Sequence, residues 1–204
     1  MKHLNEYITE KLKISSNIKV KEYSCKPETK KELKKILKER LAKDKNANLN
    51  DIDVSEITDM IRLFDGLDPY NIDISEWDVS NVTNMYSMFE DCKNFNSDLS
   101  NWNVSNVEIM SEMFRSCEKF NSDLSKWNVS KVKIMNFVFG GCKNFNSDLS
   151  KWDVSKVTGM WEMFSGCKNF NCDLSRWDVS NVNNMHNMFE GCDSLKNIPN
   201  WYEE

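Results

Sequence analysis

The chain is poor in the residues with which most enzymes work. It has two histidines, His3 and His186, and six scattered glycines in 204 residues. Two imidazoles supply little acid–base chemistry near neutral pH, and dispersed glycines build no phosphate-cradling loop. No Ser/His/Asp spacing and no CxxC pair occurs, so nucleophilic and zinc chemistry lack their parts. The expectation is a chain that is not an enzyme and that has no cofactor and no metal. Also missing is any run of about 18 apolar residues, the length a spanning helix needs. The N-terminus "MKHLNEYITEKLKISSNIKV" holds no signal-peptide core. These absences predict no membrane span and a cytoplasmic or assembly-associated protein.

Cysteine is present but in the wrong arrangement for a disulfide framework. There are seven, and Cys92, Cys117, Cys142, Cys167 and Cys192 recur every 25 residues. That regularity reads as a small apolar side chain at one core position of each repeat, in a reducing compartment. Charge is uneven: residues 1–50 carry 14 Lys+Arg against 7 Asp+Glu, and the remainder carries 13 against 25. An acidic array repels phosphates, which excludes nucleic acid along the repeats.

What the chain has in quantity is one repeated unit. Aligned on tryptophan, units begin at Trp77, Trp102, Trp127, Trp152 and Trp177, with a degenerate one ahead in which Ile52 stands for Trp; that makes six. A period of about 20–50 residues means stacked units, since one alone cannot bury its apolar face. Within a unit, Val82, Met85, Met88, Phe89 and Cys92 are spaced by three, three, one and three, which predicts one face of a short helix. Ser80 stands where a helix cap would, and Ser105 with Glu108 reads as a capping box. "FNSDLS" reads as a turn and a short extended stretch carrying Phe95 and Leu99 inward.

The segment "MFEDCKNFNSDLSNWNVSNV" resembles the signature of the BspA-like leucine-rich repeat surface proteins, in the variant with 25-residue units, and the likeness covers roughly residues 46–200. The resemblance implies an α/β fold, a leucine-rich-repeat-like solenoid of six units, and a role at the bacterial surface or in adhesion. The chain departs from that family in showing no export signal, lipoprotein cysteine or anchor.

Residues 1–45 read as a basic helical leader and N-terminal cap, and 46–204 as the repeat array with a C-terminal cap. Thr29 and Glu32 form a capping box ahead of Leu33, Ile36, Leu37 and Leu41 on one helical face. An earlier helix is expected over "LNEYITEKLKI", with Leu4, Ile8 and Leu12 on one side. At the far end Ile198 and Trp201 arrive one residue early relative to the repeat, beside Pro199.

Rows of like residues follow from the stacking. Asp73, Asp98, Asp123, Asp148 and Asp173 read as Asx-type turns, with cation binding as the alternative. Asn71, Asn96, Asn121, Asn146 and Asn171 read as a ladder satisfying turn backbones. Trp77, Trp102, Trp127, Trp152 and Trp177 read as core packing, with an exposed platform for sugar rings or a cell-surface ligand as the alternative. Positions where the units disagree carry other information, because stacking cannot demand different residues at equivalent sites. Apolar residues surface there in the central units, at Ile109, Ile134, Phe137 and Trp161, flanked by Tyr86. They mark a partner-binding surface, unless Phe137 or Ile134 folds back to fill the volume that Val138 leaves by replacing methionine. The expected function is a non-catalytic scaffold for a protein partner, as a monomer or part of an assembly. The alternatives are carbohydrate binding through the Trp row and a structural part of a larger assembly such as a phage particle.

Overall fold

The computed structural model describes residues 21–203. The earlier helix expected over residues 4–14 lies outside them. Helix α1, Lys30–Lys43, has Thr29 as its N-cap, with Oγ1 accepting the Glu32 amide at 3.2 Å. Glu32 closes the box one residue further back than usual, accepting the Glu28 amide at 2.9 Å. Leu33, Leu37 and Leu41 are buried and Ile36 half-buried, so α1 lies on the apolar end of the first coil. Its charged side is tied down by Arg40 to Asp51 at 2.9 Å and Lys30 to Asp59 at 2.9 Å.

The repeats then stack one on the next, but not as an α/β leucine-rich-repeat solenoid. Among the described residues α1 is the only helix, and the coils share isolated parallel bridges rather than a sheet, as at Asp59, Asn84, Ile109, Ile134, Gly159 and Asn184. The helix expected across Val82–Cys92 is a chain of tight turns. Val82 donates to the Val79 carbonyl, Met88 to Met85, Cys92 to Phe89 and Phe95 to Cys92, each three residues back. The intervening amides turn outward to the next coil: Met85 donates to Ile109, Ser87 to Ser111, Phe89 to Met113 and Asp91 to Arg115.

Backbone handedness enforces this alternation. Ser87, Glu112, Phe137, Glu162 and Asn187 have φ between 49° and 59°, and Asp91, Ser116, Gly141, Gly166 and Gly191 between 59° and 76°. A right-handed helix cannot pass through a left-handed residue, and here two occur four residues apart in every coil. A spacing of three brings a side chain inward in a run of tight turns as well as in a helix. The buried set at Val82, Met85, Met88 and Phe89 is therefore the expected one although the element is not. Ser80 and Ser105 also cap nothing: their amides donate to Asp78 and Asn103 side chains at 3.0 and 3.2 Å.

Side-chain ladders do the work of sheet hydrogen bonds. Each indole of the repeated Trp row donates Nε1 to a carbonyl of the preceding coil, Trp102 to Ile74 and Trp127 to Leu99, both at 2.9 Å. Thiols do the same, Cys117 to Phe89 at 3.0 Å and Cys142 to Phe114 at 2.9 Å, so this position selects a small apolar side chain that also donates. Asn121, Asn146 and Asn171 each donate a backbone N–H to the asparagine Oδ1 one coil earlier at 2.9 Å. Inside, Phe89, Phe114, Phe139 and Phe164 stack at 5.6–5.8 Å. One continuous apolar core runs from Leu33 to Phe189. At the end the backbone keeps register: Tyr202 donates to Pro199 as Trp177 does to Leu174. Pro199 takes the leucine slot, Ile198 stays 60% exposed, and the Trp201 ring still stacks on Trp177 at 6.4 Å.

Candidate functional site

The Trp row is not a platform. Trp77, Trp102, Trp127, Trp152 and Trp177 are 3–4% exposed with every Nε1 engaged on a backbone carbonyl. No ring face is open to a sugar. The five indoles belong to the core.

The aspartate row is a series of Asx turns. Oδ1 of Asp98, Asp123, Asp148 and Asp173 accepts the amide two residues on, from Ser100, Ser125, Ser150 and Ser175, at 2.9–3.0 Å. For Asp98, Asp123 and Asp173 the serine amide and then its hydroxyl hold the carboxyl below its ordinary range, and for Asp148 the Ser150 hydroxyl comes first. One oxygen of each of these carboxylates is thereby committed to its own turn. Among the described residues no three His, Cys, Asp or Glu side chains are arranged to hold a metal ion. A shallow cleft of about 480 Å³ does run between two of these turns, lined by Asn146, Ser147, Asp148, Asn171, Cys172 and Asp173. Cys172 replaces the serine whose Oγ accepts a leucine amide in other coils, Ser122 from Leu99 and Ser147 from Leu124, both at 2.8 Å. The Cys172 sulfur accepts from Leu149 at 3.3 Å. Burial pushes its thiol up to about 11, which disfavours the thiolate at neutral pH.

The remaining set, at the positions where the units differ, forms a connected surface. Ile109 and Ile134 pair across neighbouring coils, the first half-buried and the second 36% exposed. Trp161 is 39% exposed and meets half-buried Phe137 edge-on, with ring centroids 4.8 Å apart. Phe137 does not fold back into the core. Val138 is buried in the methionine slot, and the Phe137 ring lies over Gly140, where an added Cβ would sit 3.4 Å from Cδ1. The Arg115 guanidinium lies over that ring at 4.9 Å from its centroid. Arg115 also bonds Glu90 and Glu112 at 3.3 Å, and Glu112 accepts the Tyr86 hydroxyl at 3.2 Å. Tyr86 is thus linked to the aromatic pair through Glu112 and Arg115 rather than by touching it.

Two residues outside the expected set place Trp161. Tyr86 and His186 each donate their amide to an asparagine two residues back, Asn84 and Asn184, at 3.0 and 3.2 Å. Gly159 has no side chain to accept from Trp161, so Asn136 of the preceding coil does, at 3.0 Å. A Cβ on Gly159 would lie 2.8 Å from that Asn136 oxygen. Glycine and asparagine are matched across coils, a pairing that repeat alignment can flag only as two departures 23 residues apart.

Comparison with known proteins adds a family without a function. The family model described as "Mycoplasma protein of unknown function, DUF285" matches residues 31–142 and 122–204. No curated protein and no solved structure matches. Among the described residues no helix is long and apolar enough to cross a membrane.

Proposed function

Because the chain belongs to the DUF285 family, whose function is unknown, its role has to be read from its own surface, and we propose a non-catalytic repeat scaffold that binds a protein partner through the face carrying Tyr86, Ile109, Ile134, Phe137 and Trp161. The observation that carries this reading is the Phe137–Trp161 pair. Trp161 is left exposed at a position that stacking does not constrain, and Phe137 is held at φ 54° where a bulky side chain is disfavoured. Exposed aromatics beside arginine are the composition of interaction hot spots. The likeness of the repeat to BspA-like surface proteins supports the same reading, as a contact protein of the cell surface.

The test is affinity capture from native lysate with the wild type and the Phe137→Ser, Trp161→Ser double variant, after circular dichroism shows that both fold alike. A protein retained by the wild type and lost from the variant is the expected result. Equal retention by both, or no capture at all, would sink the proposal.

A further inference from the structure

The two ends of the stack are finished differently. Amides at alternating positions donate forward at each junction between coils, three at the first (Met60, Arg62 and Phe64) and four at every later one; in the fifth coil these are Met160, Glu162, Phe164 and Gly166, received by the carbonyls of Asn184, His186, Met188 and Glu190. The equivalent amides of the last coil, Met185, Asn187, Phe189 and Gly191, have no acceptor among the described residues. The carbonyls between them are engaged, since Met185, Asn187 and Phe189 accept from Met188, Glu190 and Cys192 and the even-numbered carbonyls serve the coil before; those of Asn183, Gly191 and Asp193, at the two ends of the row, accept nothing among the described residues. The open edge is therefore four donors in a row, with acceptors only at its two ends. Beside it Val179, Val182, Met185, Leu195 and Trp201 are half-buried, where Val154, Val157, Met160, Phe170 and Trp177 one coil earlier are 0–4% exposed.

That polarity selects what can cover the end. A second copy placed tail to tail would set donors against donors. A second copy placed head to tail would meet the matching acceptors, the carbonyls of Asp59, Ile61, Leu63 and Asp65, which accept no hydrogen bond among the described residues. Helix α1 obstructs that approach. It packs Leu33, Leu37 and Leu41 on this end and sends Lys34 to the Arg62 carbonyl at 3.1 Å. A helix is about 10 Å across, and a stacked coil must come to about 4.8 Å.

We infer that the C-terminal end of the stack is a coupling face for a segment of another polypeptide built on the same 25-residue pattern and lacking a helical cap. Its row of carbonyls accepts from Met185, Asn187, Phe189 and Gly191, and its apolar residues extend the Trp, Phe and Met rows. The site is separate from the Phe137–Trp161 face.

The probe is a synthetic peptide with the sequence of residues 127–177, added to the full chain and followed by amide hydrogen exchange using NMR. The four amides are expected to slow by about tenfold or more at saturating peptide. A Val182→Lys, Met185→Lys variant that keeps its near-ultraviolet circular dichroism should lose that protection, while Trp161→Ser should keep it. Unchanged exchange at millimolar peptide overturns the inference. So does a chain that is dimeric by itself with the four amides already protected, because the occupant is then a second copy.

Discussion

Phe137 is the residue whose backbone and side chain pull in opposite directions. A left-handed conformation costs a residue with a Cβ about 1–2 kcal/mol. Its contacts with Trp161 and Arg115 return on the order of 0.5–1.5 kcal/mol for the aromatic pair and about 0.5–1 for the cation. The two nearly cancel, so Phe137→Asn, which suits φ 54°, should leave unfolding in urea within about 1 kcal/mol of the wild type. A loss above about 3 kcal/mol would mean that the ring serves as core. At Trp161 the expectation concerns a hydrogen bond. Gly159→Ala should displace the Asn136 side chain and cost about 1 kcal/mol. Gly159→Asn combined with Asn136→Ser should recover that loss by rebuilding the local acceptor seen at Asn84 and Asn184. If the double variant is no more stable than Gly159→Ala, the cross-coil bond is not what places Trp161. The candidate surface was legible in sequence as residues that stacking does not require. Arg115, Gly140 and the Asn136–Gly159 match were not, because each acts through a residue in a neighbouring coil whose offset depends on how the turns close.

At the scale of the repeated element, the Asx turns tie stability to pH. The folded carboxyls of Asp98, Asp123, Asp148 and Asp173 lie below their ordinary value. A depressed folded pKa gives a contribution that is complete above the unfolded value, about 3.9, and is lost as pH falls through the folded one. Urea midpoints should therefore be level from about pH 5 to 8 and decline below about pH 4. Replacing the four aspartates with asparagine should flatten that decline while the turns persist, since Asn103 and Asn128 already accept the amides of Ser105 and Ser130. An unchanged acid limb in that variant would move the effect to other carboxylates. The same turns explain why the element was misread from sequence while its buried face was read correctly. Spacing by three reports which side chains point inward, and both a helix and a string of tight turns satisfy it. The distinguishing signal is the pair of left-handed positions, and only Gly66, Gly141, Gly166 and Gly191 hint at one of them; the other is filled by Arg62, Ser87, Glu112, Phe137, Glu162 and Asn187. Helix α1 was legible because Leu33, Leu37 and Leu41 recur every four residues with a Thr29 cap and no such interruption.

For the molecule as a whole, the two ends carry complementary edges that helix α1 keeps apart. The first coil presents free carbonyls at Asp59, Ile61, Leu63 and Asp65, and the last presents free amides at Met185, Asn187, Phe189 and Gly191. A heterologous contact of this kind does not close on itself, so any chain able to make it at one end can make it at the other and grow without limit. The cap is then what keeps a repeat stack finite. Leu33→Asp with Leu37→Asp places two carboxylates where two side chains are fully buried, which should lift α1 from the first coil at several kcal/mol. The expected consequence is concentration-dependent elongation, seen as light scattering that rises over hours, with the indoles still buried by fluorescence. Adding Met185→Lys should stop the growth without restoring the helix, because it blocks the donor edge at the opposite end. Amorphous precipitation with exposed indoles would mean that α1 is needed for the coils to fold at all. A folded monomer that never elongates would mean that matched hydrogen-bond polarity is too weak to join two stacks.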